Sequence, residues 1–197
     1  MVKNKKLFYA LSLASGITIG LLINYFKRGN RIKRLAKLTL DIGEISGNRG
    51  WSSDRFTEMM KTIGWRSSEQ WCMYYAKAIY FYALPKLREG IKELTGSTSV
   101  NWQKAKNGKL SIFEPITTST PIIGDIAIWQ RGNGTGHAGV VTKVLKDGMI
   151  IIEGNANYTN APKNPTDSVV VNKHDKTIGS AWTRGSKNKL VGFLRLK

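Results

Sequence analysis

This chain is poor in the residues that much protein chemistry relies on. Its 197 residues include one cysteine, Cys72, and two histidines, His137 and His174. A single thiol excludes an internal disulfide framework, and two histidines without CxxC or HExxH spacing argue against a zinc site. No metal or organic cofactor is expected. Acidic residues are also scarce, 13 against 31 lysines and arginines for a formal charge of +18, and the first of them is Asp41. No repeat or low-complexity linker follows Leu38. What is present, 41% apolar and 10% aromatic residues, suffices for a packed core and excludes a disordered tail.

The charge is unevenly placed. Lys3, Lys5 and Lys6 precede an uncharged run, "LFYALSLASGITIGLLINYF" from Leu7 to Phe26, and Lys27, Arg28, Arg31, Lys33, Arg34 and Lys37 follow it. Twenty residues at 1.5 Å each match a hydrocarbon core of about 30 Å, so the run reads as a transmembrane helix. A signal peptide cleaved after Ser12-Leu13-Ala14 is the rival, but it would leave Ile17–Phe26 as a new apolar terminus. Ser12, Gly16 and Gly20 form a small-residue stripe compatible with helix–helix self-association, although such residues are ordinary in membrane helices. The basic block after the span is suited to anionic lipid headgroups or wall polymer. By the positive-inside rule it also favours a cytoplasmic C-terminal part. The expected organisation is a basic tail (1–6), a membrane helix (7–26), a basic juxtamembrane segment (27–38) and one folded domain (39–197).

Within that domain helices come first and strands afterwards, the pattern of an α+β fold with a mainly antiparallel sheet. "SSDRFTEMMKTIG" has Ser/Asp start signals, helical spacing at Phe56, Met59, Met60 and Ile63, and Gly64 as a stop. A second helix is expected to open at Ser67 or Ser68, with Ser67 and Gln70 in capping-box spacing, and to run to about Leu84 before Pro85. Lys77 is its only charge between Gln70 and Ala83, so it reads as a buried central helix. "GDIAIWQ", "HAGVVTKVL", "GMIIIEGN" and the terminal "NKLVGFLRLK" read as strands, with an Asp-Gly turn joining the second and third.

Cys72 lies in "EQWCMYYAKAIYFYA". A free cysteine is commonly a small buried hydrophobe. Against that, the first turn of a helix stabilises a thiolate through its dipole and unpaired N–H groups, which could also line an oxyanion hole. His137, in "GNGTGHAGVV", is bordered by glycine and small residues that leave its ring accessible to act as a base. Glu153 and Asn155, in "IIIEGNAN", alternate on one strand face, where a polar pair after three isoleucines is hard to explain as core.

Hairpin register decides which of them meets the histidine. A two-residue loop, Asp147-Gly148, would put His137 on the opposite face from Glu153 and Asn155. A three-residue loop, Lys146-Asp147-Gly148 with Gly148 at positive φ, sets Gly139 against Asn155 and Val141 against Glu153. Asn155 is then the expected orienter of His137, with Glu153 an auxiliary acid one pair further away. Other candidates fit their context less well. "GNGTG" precedes a strand, which is wrong for a phosphate loop. His174, in the polar stretch "NKHDK", is expected to be solvated.

"GNRG", "EQWCMYYA", "PIIGDIAIWQRGNGTGHAGVV", "EGNAN" and "GFLRL" together resemble the CHAP family of amidohydrolases and peptidases, related to NlpC/P60 and papain-like enzymes, over about Ile42–Leu196. The resemblance implies a papain-like fold and a cysteine hydrolase that cuts an amide bond of peptidoglycan, either the N-acetylmuramoyl–L-alanine link or a peptide bond. By position it makes Cys72 the nucleophile, His137 the base, and Glu153 with Asn155 the residues that complete the site. Asp125 also matches a favoured family position, though turn capping explains it equally well. The Asp-rich calcium loop of some members has no counterpart here, and "WCMYY" departs from the small residues usual after the cysteine.

Three functions of different class remain open on sequence: a membrane-anchored peptidoglycan hydrolase, a catalytically inactive or acyl-transferring relative, and a basic membrane-associated binding protein. The first requires a domain that faces the cell wall, in conflict with the charge bias. A phage lysin or a membrane-containing virion would escape that conflict.

Overall fold

The computed structural model describes residues 27–45, 48–132, 134–156, 168–183 and 186–197. The expected membrane span Leu7–Phe26, with Gly16 and Gly20, lies outside them. Among the described residues, no helix is long and apolar enough to cross a membrane.

Residues 27–38 are helical (α1). Apolar positions recur at Ile32, Leu35 and Ala36, and the helix buries Ile32 and Ala36 while leaving Lys27, Arg31, Arg34 and Lys37 exposed. The basic segment is thus an amphipathic helix docked on the core. Its Arg28 donates to the carbonyl of Lys197 at the other end of the chain.

A two-stranded ribbon follows, β1 (Glu44–Ile45) and β2 (Gly50–Trp51), then α2 (Asp54–Thr62). The start and stop signals of α2 are borne out: Ser53 Oγ accepts from the Phe56 N–H at 3.3 Å, and Gly64 adopts φ 96° just past the end. The central helix α3 spans Cys72–Ala83. It starts later than the capping-box spacing suggested. Ser67 Oγ bonds the Asn48 carbonyl, Ser68 sits at φ 73°, and the N-cap is Trp71 without a side-chain cap. Trp71 overrides the local signal. Its fully buried indole packs edge-on against Trp51 and donates to Glu44 at 2.7 Å, which holds the chain in a turn until Cys72. The apolar character of α3 is matched by burial of nine of its twelve residues, Lys77 included.

A 3-10 turn (Pro85–Leu87) and the helices α4 (Arg88–Lys92) and α5 (Thr98–Lys106) lead into an antiparallel sheet. Its strands are β3 (Phe113–Ile116), β4 (Ile126–Gln130), β5 (Gly136–Leu145), β6 (Gly148–Ala156), β7 (Ser168–His174) and β8 (Lys189–Leu196), in the order β3-β8-β4-β5-β6-β7. The four strands expected from sequence are present; β3 and β7 join them. Ile126, Ile128, Ala138, Val140, Ile152 and Val169 pack with the helices, whereas Trp129, Val141, Met149, Ile151 and Phe193 form a second cluster on the opposite face.

The β5–β6 hairpin differs from the expected one. Leu145 pairs with Gly148, so the turn has two residues, Lys146 and Asp147, and Gly148 is a strand residue without positive φ. A Cβ there would stand 2.6 Å from the His174 carbonyl of β7, so close strand approach is the reason for this glycine. A bulge at Thr142 shifts the register between Val141 and Lys143, and Val140 faces Ile152. The shorter loop slides the pairing by one residue and the bulge by one more. Parity is restored, but Gly139 now opposes Glu153 in place of Asn155.

Candidate active site

Cys72 is the first residue of α3 and only 6% exposed. The first N–H groups of a helix have no partners within it, a setting that favours negative charge nearby. His137 enters from the start of β5, on the sheet face away from Ala138 and Val140, and Cys72 is among the groups that act on the charge of its ring. Its Nε2 is 2.8 Å from Glu153 Oε2, which leaves Nδ1 for the thiol. The structure brings Cys72 within electrostatic reach of His137.

The residue hydrogen-bonded to His137 is Glu153. Gly139 makes the contact feasible because it stands between the two side chains on their shared face. A Cβ at Gly139 would lie 3.0 Å from the Glu153 Cβ and 2.3 Å from the Ile151 Cγ2. Asn155, expected in that role, turns elsewhere: at φ 57° it breaks strand alternation, and its Nδ2 donates to Gln70 Oε1. Gln70 lies just before the helix that carries Cys72, so Asn155 ties the end of β6 to the cysteine loop. Among the described residues its Oδ1 is buried without a partner.

Glu153 is fully buried and accepts from four groups. Trp182 Nε1 joins His137 on Oε2 at 3.1 Å, while Asn172 Nδ2 at 2.7 Å and His174 Nε2 at 3.0 Å hold Oε1. The expectation of a solvated His174 is overturned: the ring is 5% exposed, and its Nδ1 lies 3.0 Å from the Trp182 carbonyl. The Trp182 indole also stacks on His137, with centroids 4.0 Å apart and planes at 23°. The sequence reading names neither Asn172 nor Trp182 and sets His174 aside. Only the run "SVVVNKH" carried a signal: as a strand it places Val170, Asn172 and His174 on one face.

Electrostatics follow from this packing. Burial opposes a charge on His137, but the hydrogen bond and Coulombic attraction of Cys72, and then of Glu153, outweigh it and raise the imidazole to about 10. Burial would also push the Glu153 carboxyl up, yet hydrogen bonds from His137 and His174 and their Coulombic attraction hold it far below the usual carboxylate range. No group of three or more His, Cys, Asp or Glu among the described residues could hold a metal ion. The histidine nitrogens that face the cluster are occupied by Glu153.

A thiol at a helix N-terminus, with an imidazole and a carboxylate on antiparallel strands, supplies the groups that nucleophilic cysteine chemistry requires. The CHAP-domain family model matches residues 64–155, a span that begins just ahead of Cys72 and ends at Asn155. Over that span the chain is similar to the CHAP family. No curated protein matches it at the level of sequence. Among solved structures it is similar to the endolysin LysIME-EF1, with a TM-score of 0.50 and 17% identity over 85% of this chain and 63% of that one. At that identity the likeness concerns the fold, and the chain spans less than two thirds of that endolysin.

Asp125 lies apart from this cluster. Its Oδ2 accepts from the Ile122 N–H at 2.9 Å and, with Oδ1, holds the Arg195 guanidinium at 2.8 and 3.1 Å. It caps a turn and pins β8 to the start of β4.

Proposed function

We propose that this CHAP-like domain is a peptidoglycan hydrolase that cleaves an amide bond with Cys72 as nucleophile. The observation that carries this reading is the 2.8 Å hydrogen bond between His137 and Glu153, with Cys72 at the N-terminus of α3 acting on the same imidazole. The structural relative is an endolysin, which supports peptidoglycan as the substrate class.

In the proposed mechanism Glu153 keeps the proton on His137 Nε2, because a carboxylate can only accept there. Nδ1 is then free to take the Cys72 proton. The sulfur attacks the amide carbonyl and the carbonyl oxygen becomes an oxyanion, held by the Cys72 N–H and a neighbouring donor. His137 returns its proton to the leaving amine, and water, deprotonated by the same nitrogen, releases the acyl group from sulfur. Asn155 contributes by fixing Gln70 beside the nucleophile.

Upstream, Leu7–Phe26 would anchor the domain in a membrane, facing the cell wall of a bacterial envelope or carried in a membrane-containing virion. The exposed cations of α1 would lie against anionic headgroups or wall polymer. Zymography on peptidoglycan decides the central claim: the full chain is expected to clear the gel and Cys72→Ala to leave it intact. Equal clearing by both proteins would defeat the cysteine mechanism.

A further inference from the structure

Glu153 divides its two oxygens between two histidines, and only one of them reaches the thiol. His174 sits on the far side, at the end of β7. Its Nε2 faces Glu153 Oε1 at 3.0 Å and its Nδ1 faces the Trp182 carbonyl at 3.0 Å. Both partner atoms are acceptors, since Glu153 is held as a carboxylate and a carbonyl has no proton to give. The two hydrogen bonds therefore form together only when the ring carries two protons.

Among the described residues, the surroundings of His174 supply no second anion. The Trp129 ring from β4 stands 5.1 Å away, Met149 of β6 is its strand partner, and Asn172 on its own strand binds the same Glu153 oxygen. The flanking charges are engaged elsewhere: Lys173 with Asp147, Asp175 with the Thr177 N–H, and Lys176 with the Leu145 carbonyl.

We propose that His174 is a positioning residue that, doubly protonated, shares the Glu153 carboxylate with His137 and so sets how tightly His137 holds its proton. The proposal rests on the catalytic assignment of Cys72, His137 and Glu153 made above. A lone buried carboxylate beside His137 would stabilise the imidazolium strongly and hinder proton transfer to the leaving amine. A cation on the opposite oxygen draws part of that charge away, while Trp182, bound to Glu153 and stacked on His137, keeps the geometry fixed.

The test compares the full chain with His174→Gln, which keeps an N–H near the position of Nε2 and removes the charge. His137 is titrated by long-range proton–nitrogen NMR, and the alkaline limb of kcat/KM is followed on peptidoglycan. The expected result is an upward shift of both by about one pH unit, the scale of one nearby charge in a buried site. A residue that merely fills space would lower activity at every pH without moving either midpoint. A shift below about 0.2 unit, or a downward one, overturns the proposal.

If His174→Gln does not fold, the wild-type spectrum decides: both His174 nitrogens protonated at pH 7 supports the proposal, and one bare nitrogen overturns it. The NMR readouts need no substrate, so a chain that fails to hydrolyse peptidoglycan refutes the proposed function while the role of His174 is still measured.

Discussion

Glu153→Gln isolates what the buried carboxylate does. Four donors converge on Glu153: His137 Nε2, Trp182 Nε1, Asn172 Nδ2 and His174 Nε2. An amide of the same shape can accept at one end only, so its NH2 must confront two of those donors. Stability falls by roughly 2–6 kcal/mol, from two buried donors left unpaired at about 1–3 kcal/mol each. If the NH2 faces His137, the imidazole relieves the clash by moving its proton to Nδ1, and it can no longer accept one from Cys72. Loss of a single charge-assisted hydrogen bond, about 1.5–3 kcal/mol, sets a lower limit of roughly tenfold on the rate. A wrong tautomer has cost up to about 10^4 in a serine-protease triad, the handicap expected if the amide takes that orientation. The assay is release of new amino groups from purified peptidoglycan, run at a temperature where circular dichroism shows the variant folded. Asn155→Ala, which removes no contact to His137, is expected to lose less. A Glu153→Gln protein with more than about a third of wild-type kcat/KM, or one more active than Asn155→Ala, would refute the orienting role of Glu153.

Three further outcomes follow from the same structure. Gly139→Ala introduces a methyl 2.3 Å from Ile151 Cγ2 and 3.0 Å from the Glu153 Cβ; it is expected to cost about 1–3 kcal/mol in urea unfolding and to lower kcat more than it raises KM. Because the folded pKa of His137 is raised from 6.5 to about 10, its stabilising effect is complete below about 6.5 and is lost as pH climbs through 10. Urea midpoints should therefore fall across that window, by up to about 1.4 kcal/mol per pH unit for one proton, and Cys72→Ala should flatten the slope. Asp125→Ala strands the Arg195 guanidinium and uncaps the Ile122 turn, so thermal melting should show a loss of about 3–5 kcal/mol, with the Cys72 alkylation rate of the remaining folded protein close to wild type.

How much of this was legible in the chain depends on range. The α+β order, the buried character of α3, the Ser53 start and Gly64 stop of α2 and the strands β4, β5, β6 and β8 were readable, because each rests on periodicity or capping within a few residues. Cys72 and His137 could be nominated because a thiol in a helix's first turn and a histidine among glycines are local features. The capping box at Ser67 failed because Trp71 is held by Trp51 and Glu44, residues 20 and 27 positions away. Asn155 was chosen over Glu153 because register depends on loop length and bulges, and a bulge at Thr142 leaves no clear mark in "VVTKV".

The sequence by itself determined which groups were available: one thiol, two histidines, and a Glu-x-Asn pair on a strand. Only the tertiary structure decided their partners. Antiparallel pairing of β6 with β7 brings Asn172 and His174 to Glu153, and the segment after β7 folds back to place Trp182 over both His137 and the carboxylate. A buried carboxylate is tolerated only where donors converge on it. Those donors come from strands and loops far apart in sequence, so their convergence is a property of the packed fold and of no local stretch of the chain.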